Sequence, residues 1–467
     1  MRVIGIEMSR VLLAIGIAVA LPLNARAGEP GEATVRLTVQ PMSAPKPALK
    51  YLLLPEVGEL NSGNAAQWYL RSFAEQRNFF FGKESTAERT RLLSMPLSEV
   101  PAEKFQGYGG SALRSADWAA RLDTIDWQIS QRIQTDGLEL SQPELGPLHV
   151  LGIALQVRFR VEIAGRRFDD AIRTAKTLFA FAHHLGENPT EPANRLGLTI
   201  ADLTLDTLEE MLQQPGCPNL YWALTDLRCP LVDLRKGFQG TGTLIATELK
   251  PLRDDMSMTD EQIEKVVSRI SGVLGFAREQ AGHAPRNFRA ILTARIKDSE
   301  KLRGDRARLI ESGVAEGLVP NFPPLQVILL NEKHEYEIQR DERVKLLSFA
   351  PWQIDAMSDT ERGSMGDGQL AVLLPPVIKL RQTQGRFEQR IALLRHVEAL
   401  RMYAADHGGK VPEKLTDITV PLPVDPFTGK AFRYEVEGAT AHLRGSSPRG
   451  EEKNPAYNIH LTVTVKK

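Results

Sequence analysis

"VPLPVDPFTGKAFRYEVEG", Val420 to Gly438, is where this 467-residue chain changes its hydrophobic period. Upstream, "RFEQRIALLRHVEALRMYAADHGG" reads as a helix. Leu393, Val397, Leu400 and Ala404 line one face, and Gly408 with Gly409 stops it. Downstream, Phe432 and Tyr434 alternate with polar residues, then Ala441 and Leu443, then Ile459, Leu461, Val463 and Val465. That two-residue period belongs to strands and predicts a small antiparallel sheet packed on one helix. Inside the stretch, Asp425 precedes Pro426, which biases it towards extended backbone, and Gly429 can supply the positive φ of a tight turn. Asp425 is expected to be a turn carboxylate rather than a ligand or a catalyst. Phe432 and Tyr434 are expected to cover the helix ahead of them.

Working outward, the middle of the chain is helical in texture. Leu148, Leu151, Leu155 and Phe159 recur on one helical face. "RRFDDAIRTAKTLFAFAHHLG" follows a tight Gly165, and "PANRLGLTIADLTLDTLEEMLQQPG" follows Gly186–Pro192, the rhythm of antiparallel helix hairpins with short Gly/Pro connections. Thr259 and Gln262 form a capping box ahead of another helix. "PRNFRAILTARIKDSEKLRGDRARLIESG" and "LQVILLNEKHEYEIQRDERVKLLSF" read as long charged amphipathic helices. Nearer the start, "ATVRLTVQP" reads as a strand, and helices are expected around Thr86–Leu93 and Ser98–Phe105. The predicted class is mainly α: a helix-hairpin body with a small α+β C-terminal module, a helix plus an antiparallel β-meander. The expected division is a signal peptide over 1–27, a mixed segment over 28–109, the helical body over 110–354, a linker and the start of a long helix over 355–385, and the α+β module over 386–467.

Composition narrows the function classes. Basic and acidic residues number 58 each, so bulk charge gives no reason to expect a nucleic-acid partner. Arg2 and Arg10 flank the apolar run "VLLAIGIAVALPL", and "ARA" before Gly28 has the small-x-small pattern of a cleavage site. A run of thirteen is short against the about 20 residues a membrane span needs. A periplasmic or secreted location follows as the expectation, with an uncleaved N-terminal anchor as the alternative and no membrane span in the mature chain. Cys217 and Cys229 frame "PNLYWALTDLR", read as a helix of about 13 Å, whereas a disulfide needs Cα atoms within about 7 Å. Two free thiols are expected, with a non-helical linker between the cysteines as the alternative.

Several stretches invite a chemical reading and are better explained structurally. "AGRRFDDAIRTAKTLF" resembles the tetratricopeptide helix junction, but no second copy appears 34 residues later. "NEKHEYEI" resembles the zinc-protease helix motif, yet Ile338 stands where the second histidine is required, so His334 with Glu332, Glu335 and Glu337 is read as a solvated helix face. His183 and His184 point about 100° apart near a helix C-terminus. "FQGYGGSAL", Phe105 to Leu113, lacks the context of a phosphate loop. Asp169 and Asp170, and Asp254 and Asp255, are read as helix starts. No catalytic, cofactor-binding or metal-ligating residue is assigned, and no cofactor is expected.

"EALRMYAADHGGKVPEKLTDI" followed by "PVDPFTGKAFRY" resembles the globular end of type II secretion pseudopilins of the G type, over about 70 residues. The resemblance implies a long helix leading into a β-meander. It departs from the family upstream, where "LAVLLPPVIKL" is broken by Pro375 and Pro376. It departs again in "RGSSPRGEEKNP", which has no Asp where the family often binds calcium, although Glu451 and Glu452 stand there. The whole chain is similar to uncharacterised secreted bacterial proteins that join a helical body to this ending, carried by "AGRRFDDAIRTAKTLFAFAHHLGENPT" and "CPNLYWALTDL". That likeness implies a compartment and an architecture and no activity. The expected function is an exported, non-catalytic scaffold or binding protein with a protein partner in the cell envelope. The alternatives are an extracytoplasmic hydrolase with dispersed catalytic residues, or a component of a secretion-like assembly.

Overall fold

A helix that buries residues on every side belongs in the middle of a protein, and residues 145–164 form one, with Arg160 and Glu162 buried among the apolar side chains. In the computed structural model, which describes residues 25–27, 33–280, 282, 284, 286–357, 368–374 and 376–466, sixteen α-helices and seven strands are present. The expected leader lies outside the described residues except for β1 (Ala25–Ala27), which pairs antiparallel with β2 (Ala33–Val39). Residues 358–367 of the expected linker also lie outside them.

Short elements come first. Asn64, at the end of β3 (Asn61–Asn64), caps α1 (Ala65–Glu75) by accepting from the Ala66 N–H at 3.1 Å. Then come α2 (Arg77–Phe81), α3 (Lys83–Ser94) and α4 (Gly110–Ala119). The helix expected over Ser98–Phe105 is instead a 3-10 turn at Leu97–Glu99 and a run of irregular turns, because Pro101 cannot continue the hydrogen-bond ladder. β4 (Leu122–Thr124) pairs parallel with β3, and α5 (Ser130–Asp136) follows.

The body is the expected hairpin series: α6 (Leu145–Ala164), α7 (Phe168–Gly186) and α8 (Glu191–Leu212). Leu148, Leu151, Leu155 and Phe159 are fully buried, and so are Val157 and Ile163 on other sides of α6. The tight turn before α7 takes its left-handed position at Arg166, φ 54°, while Gly165 has an ordinary backbone. Pro192 sits in the first turn of α8, where its missing N–H costs no ladder bond.

Next come α9 (Tyr221–Asp226), α10 (Leu234–Leu249), α11 (Asp260–Gln280), α12 (Phe288–Ile296), α13 (Ser299–Glu311), α14 (Pro324–Val344) and α15 (Pro351–Ala356). The Thr259–Gln262 capping box is formed, with hydrogen bonds of 2.8 and 3.3 Å. The long helix expected over Pro285–Gly313 is two, because Asp298 turns to cap α13 through the Lys301 N–H. Phe238 at the start of α10 lies in the main core, but Ile245 near its end lies in a second core that runs on to Leu374; Leu346 is back in the main one. Residues 245–336, together with 370–374, thus form an inserted helical lobe with its own core.

α16 (Val377–Asp406) begins nine residues before Arg386, and its expected face of Leu393, Val397, Leu400 and Ala404 is buried. β5 (Arg433–Glu437), β6 (Thr440–Arg444) and β7 (Ile459–Val465) form the expected antiparallel meander. β2 then joins β7 in parallel, from Ala33 opposite Ile459 to Val39 opposite Val465, giving the order β1-β2-β7-β6-β5. The N-terminal and C-terminal segments therefore share one sheet. The fold is mainly α with a small α+β module. Among the described residues, no helix is long and apolar enough to cross a membrane.

Candidate functional site

Asp425 is almost completely buried, at 1% exposure. One carboxylate oxygen accepts from the Phe427 N–H and from Gln389 Nε2 on α16, both at 3.0 Å; the other accepts from the Ser446 N–H at 2.7 Å. The side chain ties the turn to the helix and to the loop after β6. Gly429 takes φ 66° in that turn, and a Cβ there would stand 3.1 Å from the Trp352 ring. Phe432 meets His396 on α16 edge-on, while the Tyr434 hydroxyl donates to the Pro412 carbonyl at 2.7 Å. Phe432 therefore covers the helix as expected, and Tyr434 packs half-buried against the same core.

The helix that Asp425 holds carries a buried row of charge on another face. Arg390 reaches Asp202 at 3.1 Å, Asp206 at 2.6 Å and Glu209 at 2.8 Å on α8, and Arg386 pairs with Asp202. Three carboxylates face two guanidiniums. Burial, with Glu209 and Asp202 as like charges, pushes the Asp206 carboxyl up to about 7 against the pull of Arg390. These groups point at each other along the α8–α16 seam, so their chemistry is internal: they fix how the body meets the module.

The other sequence candidates are also held by structural contacts. His184 is buried against Tyr69, whose hydroxyl lies 2.9 Å from Nδ1, and burial drives its pKa down to about 3. His183 Nδ1 meets the Leu231 carbonyl at 3.0 Å. Asp169 and Asp170 lie in the first turn of α7. Phe105–Leu113 is a turn leading into α4, with Gly107 and Gly109 at φ 72° and 77°. Cys217 and Cys229 are free thiols. Glu451 and Glu452 are used within their own loop, Glu451 accepting from Asn454 at 2.7 Å and Glu452 from the Gly450 N–H at 2.8 Å.

Two readings change. Glu332 is not on a solvated face: its carboxylate is buried, accepting from Arg295 at 2.7 Å and from the Gln369 N–H at 2.6 Å. Asp254 and Asp255 do not start a helix. They lie in the bend between α10 and α11 and line a polar cleft of about 390 Å³ with Lys333, His334 and Glu337. Arg253 holds Asp255 through two bonds of 2.7 and 2.6 Å. Among the described residues, no hydrogen bond or ion pair joins Asp254, Lys333, His334 and Glu337 to one another.

A second cleft, of about 420 Å³, runs along α16 between the loop after α9 and the Pro423–Pro426 wall. Trp352 and Val424 line it and stay 42% and 52% exposed. Arg381 pairs with Glu388 at 3.0 Å inside it, and burial raises the Glu388 carboxyl despite that partner. Arg228 and Arg395 also line it, among the described residues without a carboxylate partner: Arg228 meets His183 Nε2 at 3.3 Å, and Arg395 lies 5.7 Å above the Tyr221 ring. Burial, with the Glu388 carboxylate, pushes the Cys229 thiol up to about 11, so it is not activated as a nucleophile.

Comparison with known protein families, with curated proteins and with solved structures finds no match. Sequence reasoning missed the buried seam, although its signal was present. Asp202, Asp206 and Glu209 recur at i, i+4 and i+7, and Arg386 and Arg390 at i, i+4, which are complementary stripes on two helices. The cleft gave no such signal, because Arg228, Trp352, Arg395 and Val424 come from four separate segments.

Proposed function

We propose that this chain is an exported, non-catalytic binding or scaffold protein of the bacterial cell envelope, and that it engages a protein partner through the cleft beside Trp352. One observation carries the binding reading. Trp352 and Val424 are exposed in that cleft, Arg228 and Arg395 lie beside them with no carboxylate partner among the described residues, and the walls are braced from behind by the buried bonds of Asp425. Exposed tryptophan beside arginine is the composition that protein interfaces concentrate at their centres. Export rests on the leader-like residues 1–27, and the pseudopilin-like ending makes a secretion-like assembly one source of the partner.

Cell fractionation with N-terminal sequencing tests the compartment: the expected product begins at Gly28 in the extracytoplasmic fraction, and an intact chain in the cytoplasm refutes export. Crosslinking in intact cells, followed by capture of the chain, is expected to yield one discrete envelope-protein adduct. A chain recovered alone refutes the scaffold reading.

The polar cleft of Asp254, Asp255, Lys333, His334 and Glu337 favours a second reading, an extracytoplasmic hydrolase. A general base held by a third group is the usual requirement, and among the described residues no group holds His334. Turnover of ester, phosphoester or glycoside substrates that H334Q abolishes would establish it.

A further inference from the structure

We propose that the cleft along α16 binds an extended peptide segment of about six residues that sets one acidic side chain among apolar ones. The inference rests on the binding reading above and names the ligand class.

Length comes first. The floor of the cleft spans Arg381 to Arg395 on α16, about 21 Å at 1.5 Å per residue, which an extended chain covers in about six residues. Charge comes second. Arg381 is neutralised by Glu388, but among the described residues Arg228 and Arg395 have no anionic partner. A single ligand carboxylate offers either guanidinium the forked geometry arginine favours. The apolar side chains of the segment meet Trp352, Val424, Phe387 and Ile391.

The backbone separates a peptide from a lipid. Pro421 and Pro423 alternate with Leu422 and Val424, so successive N–H groups are removed on one edge and kept on the other. Val424 lines the cleft, and among the described residues its N–H donates to no acceptor. A polypeptide carries a carbonyl at every residue to accept from it, and the hydrocarbon tail of a lipid carries none. The anchor is also set in advance: the Trp352 backbone N–H donates to the Pro426 carbonyl at 3.0 Å, and the indole ring lies over Gly429. A side chain already fixed loses little freedom on binding.

The test is to pan the full-length chain against displayed random octapeptides and to titrate the selected peptide calorimetrically. Enrichment of apolar sequences with one Asp or Glu is expected, with affinity falling at least tenfold in R395Q and in V424D. Circular dichroism and thermal melting of both variants should match the parent. Enrichment of neutral or basic peptides overturns the proposal, as does unchanged affinity in R395Q with V424D. Complete competition by dodecanoate at lower concentration overturns it in favour of an amphiphile, and concentration-dependent dimerisation lost in V424D overturns it in favour of a second copy. Failure here alongside a discrete envelope adduct leaves the binding function standing and removes only this cleft.

Discussion

Glu398 and Arg401, one turn apart on α16, form an ion pair in which both side chains are wholly excluded from solvent, with N–O distances of 2.9 and 3.1 Å. Arg401 also donates from Nε to the Gln40 carbonyl at 3.0 Å and from its second terminal nitrogen to the Cys217 carbonyl at 2.7 Å. One guanidinium thereby joins the exit of β2, the segment before α9, and the helix of the C-terminal module. Removing one member of a buried pair strands the other charge, which costs about 3–5 kcal/mol. R401M is expected to lose that much in urea denaturation. The double variant E398L/R401M should recover part of it, since no charge is then stranded, but not all, because two backbone carbonyls still lack a donor. Equal stability of R401M and the parent would refute this account.

The Asp206 carboxyl offers a pH signature. Its folded value, about 7, lies above the ordinary carboxylate range. A group shifted upward holds its proton better in the folded state. Its contribution is full below about pH 4 and is lost as pH rises through 7, at up to about 1.4 kcal/mol per unit. Glu162 is pushed up to about 7 as well, chiefly by burial. D206N carries no titrating proton there, so its urea midpoint should fall less steeply than the parent's between pH 4 and 7. A parallel pair of profiles would sink the assignment.

Histidines act in the opposite sense. Burial lowers His184 to about 3 and His396 to about 4. Their stabilising effect is present above about 6.5 and is lost as pH falls towards those folded values, because the unfolded chain takes up protons the folded one refuses. His396 is held neutral beside Phe432, with Nδ1 2.8 Å from the Ala392 carbonyl. H396N is expected to lower stability at pH 7 and to reduce the acid loss between pH 6.5 and 4, read as thermal midpoints across that range.

These features show how far the sequence can be read. Periodicity located α6, α7, α8, α16 and the meander, because each buries a stripe or a face that repeats within one segment. β2 was legible as a strand, but its pairing with β7 across more than 400 residues was not, since register between distant strands depends on what fills the space between them. Glu332 was misread because a charged residue on a helix is ordinarily solvated, and the signal that buries it, Arg295, lies on a different helix. Arg228, Trp352, Arg395 and Val424 each look ordinary alone; only the packing of α16 against two loops brings them to one cleft.

Helix α10 gives the sharpest steric prediction. At Gly240 a Cβ would stand 1.7 Å from the Pro189 carbonyl oxygen, a backbone atom that cannot rotate away. Three residues earlier, the Gly237 N–H donates to the Asn194 side-chain carbonyl at 3.1 Å, so the same approach is used for a buried hydrogen bond. Moving α10 outward to admit a methyl group breaks that bond and separates Phe238 from the main core. G240A is therefore expected to cost about 3 kcal/mol or more, as overpacking does where the neighbour cannot yield. Gly272, exposed on α11 with no atom within 4 Å of its would-be Cβ, provides the contrast. G272A should stabilise by up to about 1 kcal/mol through helix propensity alone. Two alanine variants of opposite sign in the same denaturation series would establish the close approach of α10 to the turn before α8, and a harmless G240A would disprove it.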